Sequence, residues 1–289
     1  MIPIPIPIPI TGATPVAGVV GRPVRHSLSP VLHNAWLRRA EIDGVYVALS
    51  PTEQGFGAFV ESLRGGALRG LNVTLPFKEA ALAAADSASS LAKAAGAANL
   101  LLFHEDGRIE ARNTDGAGLL YAFAQQASDV SLVAHTVLII GAGGAARGAV
   151  ATLIDAGVRD IRILNRTPAR AEAIAADFEG VSAFGFDAMA KAIAGVGVVI
   201  NATSAEVGGQ GFHFDFAALP KQAVVMDMLY RPLETRFLLQ AARRSLRTVD
   251  GLDMLIGQAI PSFEAFFGRS PPADLDARAL LLDILERDA

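Results

Sequence analysis

Apolar and polar positions alternate along most of the chain with a period that switches between two residues and about 3.6, as strands interleaved with helices require. Val16 to Val20 is a short apolar strand, followed by a polar turn and a helix with an apolar face from about Pro30 to Ala40. Further strands are predicted at Val45 to Leu49, Gly70 to Thr74 and Ala98 to Phe103. Asp106-Gly107, inside His104 to Arg108, predicts a hairpin returning along Ile109 to Arg112. The first 114 residues therefore read as one open α/β domain.

Asn113-Thr114-Asp115-Gly116 precedes an amphipathic helix carrying Leu119, Leu120 and Phe123, and a stronger strand, Thr136 to Ile140, then runs directly into glycines. Strands recur at Ile161 to Leu164, Val198 to Asn201 and Val224 to Met228, each separated by a helix-length stretch, as in a doubly wound nucleotide-binding sheet. Beyond Gly251 the pattern is helical. The expected fold is thus two-domain α/β: an open α/β domain over 1–114, a Rossmann-type domain over 115–250, and C-terminal helices over 251–289 that return to the first domain.

Composition narrows the function classes. The net charge is −4, with Lys and Arg scattered rather than gathered into a stripe or tail, so no nucleic-acid partner is expected. Apolar residues are interspersed with charge, so no membrane span is expected either. Cysteine is absent, and the five His residues show no metal-ligand spacing; no metal site is expected, and a reducing cytoplasm fits. The opening MIPIPIPIPI has no basic segment, and its alternating Pro blocks the helix a secretion signal needs. Residues 1–10 are expected to be extended, poorly paired and without function.

The first chemical motif is Gly141-Ala142-Gly143-Gly144-Ala145-Ala146, which follows an apolar strand and opens a helix. Gly141, Gly143 and Ala146 satisfy the dinucleotide fingerprint: the first makes the tight turn, the second admits the pyrophosphate, and the third lets the helix pack on the sheet. At the end of the next strand an NAD site would place Asp or Glu for the ribose 2'-hydroxyl. This chain has Asn165-Arg166-Thr167-Pro168-Ala169-Arg170. Arg166 suits a 2'-phosphate, Thr167 suits an N-cap with Pro168 at N1, and Arg170 lies in the first turn, either near the same anion or simply in solvent. The expected cofactor is NADP(H).

A second polar cluster lies in the first domain. In His26-Ser27-Leu28-Ser29-Pro30, Ser29 is a candidate N-cap, and together with Ser27 it offers two hydroxyls for a carboxylate near a helix N-terminus. In Asn72-Val73-Thr74-Leu75-Pro76-Phe77-Lys78, period-two geometry puts Asn72 and Thr74 on one face, toward a cleft, and Val73 and Leu75 into packing. Lys78 sits at a loop-to-helix transition, where the helix dipole disfavours a cation. It is either a solvated lysine or a functional one.

Taken in order from about Ala17 to the C-terminus, these segments, with Asn113-Thr114-Asp115-Gly116, Asn201-Ala202-Thr203-Ser204 and Gly251 to Gln258, closely resemble the shikimate dehydrogenase family. The resemblance implies reversible hydride transfer between NADPH and the ring ketone of 3-dehydroshikimate, giving shikimate in the route to aromatic amino acids. It implies Lys78 and Asp115 as the catalytic pair. It implies that Ser27 and Ser29 hold the substrate carboxylate, that Asn72, Thr74, Asn99 and Gln258 bind ring hydroxyls, and that Tyr230 lies near the carboxylate and nicotinamide. Gly141, Ala142, Gly143, Gly144, Ala145, Asn165, Arg166, Thr167, Arg170, Thr203 and Gly251 fall to the cofactor. Three departures bear on detail: Leu100 stands where the family more often has Thr, Glu206-Val207 replaces the usual Gly-Met, and the Ile-Pro tract has no counterpart. The rival readings are a quinate or NAD-using relative, a non-catalytic shikimate-binding regulator, and a folate-type two-domain dehydrogenase. Oligomeric state, monomer or homodimer, is left open.

Overall fold

The computed structural model describes residues 9–203 and 213–287. Most of the Ile-Pro tract and the departure at Glu206-Val207 lie outside the described residues. Two compact units form. One comprises the chain up to Lys93, Ala97–Thr114 and the chain from Gln258 on; the other comprises Ala94–Gly96 and Asp115–Gly257.

In the first unit the elements are β1 (Val16–Val20), α1 (Ser29–Arg39), β2 (Val45–Leu49), α2 (Phe56–Glu61), β3 (Gly70–Val73), α3 (Lys78–Ala84), β4 (Ser87–Ala88), α4 (Ser90–Ala95, whose last two residues belong to the other unit), β5 (Leu100–Phe103) and β6 (Ile109–Arg112). The described strands form one sheet in the order β2-β1-β3-β5-β6-β4. β1 runs parallel to β2 and β3, while β3-β5 and β5-β6 are antiparallel. The predicted hairpin is present: the Gly107 amide donates to the His104 carbonyl, and Gly107 takes φ +86°, the region that favours glycine.

The second unit contains α5 (Asp115–Gln126), β7 (Thr136–Ile140), α6 (Gly144–Asp155), β8 (Ile161–Leu164), α7 (Pro168–Ala175), β9 (Val181–Phe184), α8 (Met189–Ile193), β10 (Val196–Asn201), β11 (Val224–Asp227), α9 (Arg236–Arg243) and β12 (Arg247–Val249). Its described strands are all parallel, in the order β12-β11-β10-β7-β8-β9. Renumbered from β7, this is the 3-2-1-4-5-6 order of a doubly wound dinucleotide fold. Successive residues of β7 serve opposite cores: Val137 and Ile139 on one face, Leu138 and Ile140 on the other. Both faces are covered, which is why these strands read as unbroken apolar runs. β9 and β12, which pattern reading did not find, are the two edges of this sheet and are short and partly exposed.

Two helices complete the chain: α10 (Leu252–Phe267) and α11 (Ala277–Arg287). α10 belongs to the second unit up to Gly257 and to the first from Gln258. Side-chain size accounts for the handover. A Cβ at Gly257 would lie 2.4 Å from the Tyr121 Cβ, so glycine lets this half approach α5, whereas Phe263 and Phe266 further on join an aromatic cluster with His33, Trp36 and Tyr46.

His33 in that cluster is fully buried and stacked on Tyr46, with ring centroids 4.0 Å apart, and neither ring nitrogen has a hydrogen-bond partner among the described residues. Burial lowers its pKa from 6.5 to about 3. Below pH 6.5 the unfolded chain therefore binds a proton that the folded chain excludes, so the stability present at neutral pH is lost progressively between pH 6.5 and about 3. At pH 5 the deficit amounts to about 2 kcal/mol. Urea unfolding at pH 7.5 and pH 5 should show the parent losing about that much more than His33→Phe, which keeps the stacking and removes the proton site. Equal losses in both would show that His33 does not carry the acid sensitivity.

Candidate functional site

The first unit's polar residues gather at the C-terminal ends of β1 and β3 and in the segments around Asn99 and Thr114. After β1 a turn is closed by the Ser27 amide on the Val24 carbonyl (3.1 Å), and the Ser27 hydroxyl accepts a hydrogen bond from the Ser29 amide (3.3 Å). Ser29 is not the cap of α1: Leu28 holds that position, and Ser29 and Pro30 are already helical, Ser29 being buried. The turn brings the earlier hydroxyl, not the later one, onto a free amide of the first helical turn.

β3 ends at Val73, so period-two geometry stops one residue before Thr74. Val73 packs as expected, but Leu75 is 62% exposed. Asn72 does not face an open cleft. It is buried, accepts from the Tyr46 hydroxyl at 2.7 Å, and donates to the Ser262 hydroxyl at 2.8 Å and the Asn99 carbonyl at 3.3 Å. This sheet is covered on both faces, so a polar residue on one face need not meet solvent. Thr74 is half-buried; a Cβ on Gly21 would lie 2.3 Å from the Thr74 methyl, so glycine there lets Thr74 occupy its position.

Lys78 is half-buried and is the first residue of α3. Phe77 before it is buried and stacks on Phe56 with centroids 4.4 Å apart, and the Lys78 carbonyl accepts from the Ala98 amide at 2.9 Å. The lysine backbone is thus fixed from two sides, next to Asn99. The Asn99 side chain is buried; its Oδ1 accepts the Thr114 amide at 2.7 Å and its Nδ2 donates to the Thr114 hydroxyl at 2.9 Å. The Thr114 hydroxyl in turn donates to the Gln258 carbonyl at 2.9 Å. Leu100, which stands where the family more often has a hydroxyl, is fully buried among Val19, Val24, Tyr46 and Phe266, so its side chain belongs to the core. Asp115 opens α5, where a carboxylate favours the positive end of the helix.

In the second unit Gly141 takes φ +108°, and a Cβ there would lie 3.0 Å from the Thr203 methyl. Gly143 and Gly144 are exposed, with nothing within 4 Å of an added Cβ, while Ala146, in the first turn of α6, is fully buried. The open space over Gly143, at the N-terminus of a twelve-residue helix, fits a pyrophosphate. Asn201, buried at the end of β10, accepts from the Thr203 hydroxyl at 2.8 Å and so orients it. Ala142 is half-buried and Ala145 exposed on this same turn.

At the end of β8, Asn165 donates to the Thr167 carbonyl at 2.9 Å, and Arg166, Thr167 and Arg170 are exposed. Thr167 takes the N-cap position with Pro168 following, but its side chain makes no capping bond. Neither arginine has an acidic partner among the described residues. Tyr230 is half-buried just past β11, near the buried Asp227, which accepts from the Leu229 amide at 3.1 Å and the Thr235 hydroxyl at 2.7 Å. Burial raises the Asp227 pKa against the opposing effect of those bonds. Gly251 is packed against this turn: a Cβ would lie 2.4 Å from the Met228 carbonyl oxygen, so only glycine admits the approach.

Tyr46, Ser262 and Arg147 carry no signal in the local sequence pattern, since their roles depend on partners distant in the chain. Arg147 follows the glycine turn, donates to the Ala94 carbonyl at 2.8 Å, and pairs with Asp177 at 2.7 Å. No cluster of potential metal ligands occurs among the described residues, and no described helix is long and apolar enough to cross a membrane.

A Rossmann-ordered sheet with an open glycine turn, joined to a second α/β unit rich in ordered polar side chains, defines a two-unit dinucleotide-binding protein. Three family models match in sequence: the shikimate dehydrogenase substrate binding domain at residues 19–101, shikimate/quinate 5-dehydrogenase at 122–208, and the shikimate 5'-dehydrogenase C-terminal domain at 251–281. The shikimate dehydrogenase (NADP(+)) of Caulobacter vibrioides is 54% identical over 278 residues, covering 96% of this chain and 98% of its own. The crystal structure of Thermus thermophilus shikimate 5-dehydrogenase in complex with NADP(H) and shikimate superposes with TM-score 0.81 at 32% identity, covering 95% of this chain and all of that one. Quinate dehydrogenase from Corynebacterium glutamicum in complex with NAD gives TM-score 0.83 at 26% identity, covering 93% and 99%. The chain belongs to the shikimate dehydrogenase family.

The two glycines of the turn should separate fold from ligand. Gly141→Ala forces a side chain into a positive φ and should cost about 1–2 kcal/mol of stability. Gly143→Ala has φ −102° and open space, so it should melt like the parent while losing dinucleotide affinity in titration calorimetry. If Gly143→Ala binds the dinucleotide normally, the pyrophosphate does not approach that residue.

Proposed function

We propose that this chain catalyses the reversible, NADPH-dependent reduction of 3-dehydroshikimate to shikimate, with the first unit holding the substrate and the second the cofactor. The observation that carries the reading is the relative named shikimate dehydrogenase (NADP(+)), 54% identical across nearly the whole of both chains. The exposed Arg166 at the end of β8, where an NAD site would carry a carboxylate, supports NADP over NAD. The substrate is a small molecule; no nucleic-acid partner is invoked, and the enzyme works in the cytoplasm as a monomer or homodimer.

The dinucleotide, when bound, supplies the hydride. Gly141 to Ala145 and Thr203 hold its pyrophosphate side, Gly251 shapes the backbone beside it, and Asn165, Arg166, Thr167 and Arg170 take the 2'-phosphate. Ser27 and Ser29 hold the substrate carboxylate: the Ser27 hydroxyl accepts from the Ser29 amide, which leaves its proton for an anion. Thr74, Asn99 and Gln258 take ring hydroxyls, and Tyr230 lies toward the carboxylate. Asn72 takes a ring hydroxyl as well: its Nδ2 hydrogens are engaged by Ser262 and Asn99, and Oδ1, which accepts from Tyr46, has a second lone pair. As the ring carbonyl is reduced, negative charge grows on its oxygen; Lys78 Nζ stabilises that charge and gives the oxygen its proton. Asp115 is the carboxylate that orients the lysine and a substrate hydroxyl.

The direct test follows NADP reduction with shikimate, with quinate and NAD as the alternative substrate and cofactor. Rapid turnover of shikimate with NADP is expected, and activity with quinate and NAD alone would overturn the reading. Lys78→Ala should lose about a hundred- to ten-thousandfold in kcat while binding NADPH normally, and Lys78→Arg should not restore it. Near-parental turnover in Lys78→Ala would remove the lysine from catalysis.

Arg166→Ala should weaken NADP binding by roughly ten- to a hundredfold, the loss of one charge-assisted contact, and leave NAD nearly unchanged. Equal loss of both cofactors would show that Arg166 supports the fold instead of reading the phosphate.

A further inference from the structure

Six polar residues of the first unit are joined by hydrogen bonds into a closed ring with one tail. Asn72 Nδ2 donates to the Ser262 hydroxyl (2.8 Å) and to the Asn99 carbonyl (3.3 Å). Ser262 donates to the Gln258 carbonyl (3.1 Å), which also receives the Thr114 hydroxyl (2.9 Å). The Asn99 side chain closes the ring on Thr114, giving Nδ2 to its hydroxyl (2.9 Å) and taking its amide on Oδ1 (2.7 Å). Tyr46 is the tail, donating to Asn72 Oδ1 at 2.7 Å. Tyr46, Asn72, Asn99, Thr114 and Ser262 are all buried, so the bonds among them are made away from solvent, while Gln258, whose carbonyl receives two, is half-buried.

We infer that Ser262 and Thr114 are positioning residues, which through this ring set the orientation of the Asn99 amide and the backbone leading into Asp115. The inference rests on the function proposed above, which gives Asn99 and Asp115 their roles. Proton accounting supplies the mechanism. A hydroxyl has one proton: that of Ser262 is directed at the Gln258 carbonyl, and that of Thr114 goes to the same carbonyl at 2.9 Å rather than to the more distant Asn99 Oδ1 at 3.2 Å. Thr114 Oγ1 must then accept from Asn99, which presents Nδ2 to it, while Oδ1 is fixed by the Thr114 amide. The two ends of the Asn99 amide are thereby distinguished, and reversing it would set donor against donor at Thr114 N. Ser262 similarly accepts from Asn72, whose second Nδ2 hydrogen reaches the carbonyl of Asn99 itself. The same residue is therefore held at its backbone through Asn72 and at its side chain through Thr114. Asp115 is the next residue after Thr114, so the bonds on the Thr114 amide and hydroxyl restrain the start of α5, where that carboxylate is carried.

The test compares Thr114→Val, which keeps the shape and removes the hydroxyl, with Thr114→Ser, which keeps the hydroxyl, and adds Ser262→Ala on the far side of the ring. Steady-state kinetics with shikimate, NADP affinity and thermal unfolding are measured for each against the parent. Parental turnover of shikimate establishes the proposed function first; its absence would sink that function and not the ring. With it in hand, Thr114→Val and Ser262→Ala should each lower kcat/KM for shikimate by about ten- to a hundredfold, as displaced site groups do, with the NADP Kd within about twofold of the parent. Thr114→Ser should recover most of the loss, although it also removes a packed methyl. Should Thr114→Val fail to fold, Ser262→Ala, which is remote in sequence from Asp115, carries the test. If Thr114→Val or Ser262→Ala lowers the melting temperature yet turns over shikimate like the parent, or if Thr114→Ser is no better than Thr114→Val, the ring only supports the fold and the inference is wrong.

Discussion

The hydrogen bond from the Thr114 amide to the Asn99 side chain, 2.7 Å long and shielded from solvent, is the constraint on which the first unit's polar architecture depends. A buried amide left without an acceptor costs about 1–3 kcal/mol, so Asn99 cannot turn away without another acceptor taking its place. That requirement fixes which end of Asn99 faces Thr114, which in turn commits the Thr114 hydroxyl to the Gln258 carbonyl. Polar side chains from β3, from the Asn99 and Thr114 segments and from α10 are drawn together by this need for mutual satisfaction rather than by proximity in sequence.

The two units meet their chemical demands by different means. In the second unit the glycine turn is made of backbone: a glycine at positive φ, then two glycines with open space above them, at the start of a helix whose first amides have no partners inside it. Backbone amides suit a pyrophosphate, which presents many acceptors and little shape. The first unit offers ordered side chains instead, as the proposed substrate, a ring bearing hydroxyls to be read group by group, would need. Its side chains are accordingly held by others: Ser27 receives the Ser29 amide, Thr74 fits against Gly21, and Phe77 anchors the start of α3 by stacking on Phe56.

Buried ionisable groups are treated in two ways. His33 sits among aromatic rings without a hydrogen-bond partner among the described residues and is kept neutral by desolvation. Asp227 is also buried and also disfavoured in its charged form, but the Leu229 amide and the Thr235 hydroxyl offset part of that penalty and at the same time order the turn leading to Tyr230. The His33 arrangement packs a core; the Asp227 arrangement shapes a loop. The Gly251 approach to the Met228 carbonyl belongs with the second, since it closes the same turn from the other side.

Local periodicity determined the order and type of the main elements. β1, β2, β6, β7 and β8 fall where alternating or unbroken apolar runs end at turn residues, and the chain crosses between units at Asp115, where the strand pattern stops and a helix pattern begins. The glycine turn was legible for the same reason: φ +108° at Gly141 is a demand made by neighbours in the chain. Contacts between distant residues decided the rest. That Asn72 faces inward depends on Tyr46 and Ser262, the second of which is 190 residues away. That Leu100 lies in the core depends on which face of the sheet packs against Phe266 of α10. That Ser29 is a helical residue and not a cap depends on how the preceding turn closes. The edge strands β9 and β12 escaped because three or four partly exposed residues carry little pattern, and they become strands only when a neighbouring strand supplies the hydrogen bonds. Sequence thus determined what each segment can form and which residue types it offers, while the pairing of polar groups, a property of atoms brought together only by folding, was decided by the tertiary structure.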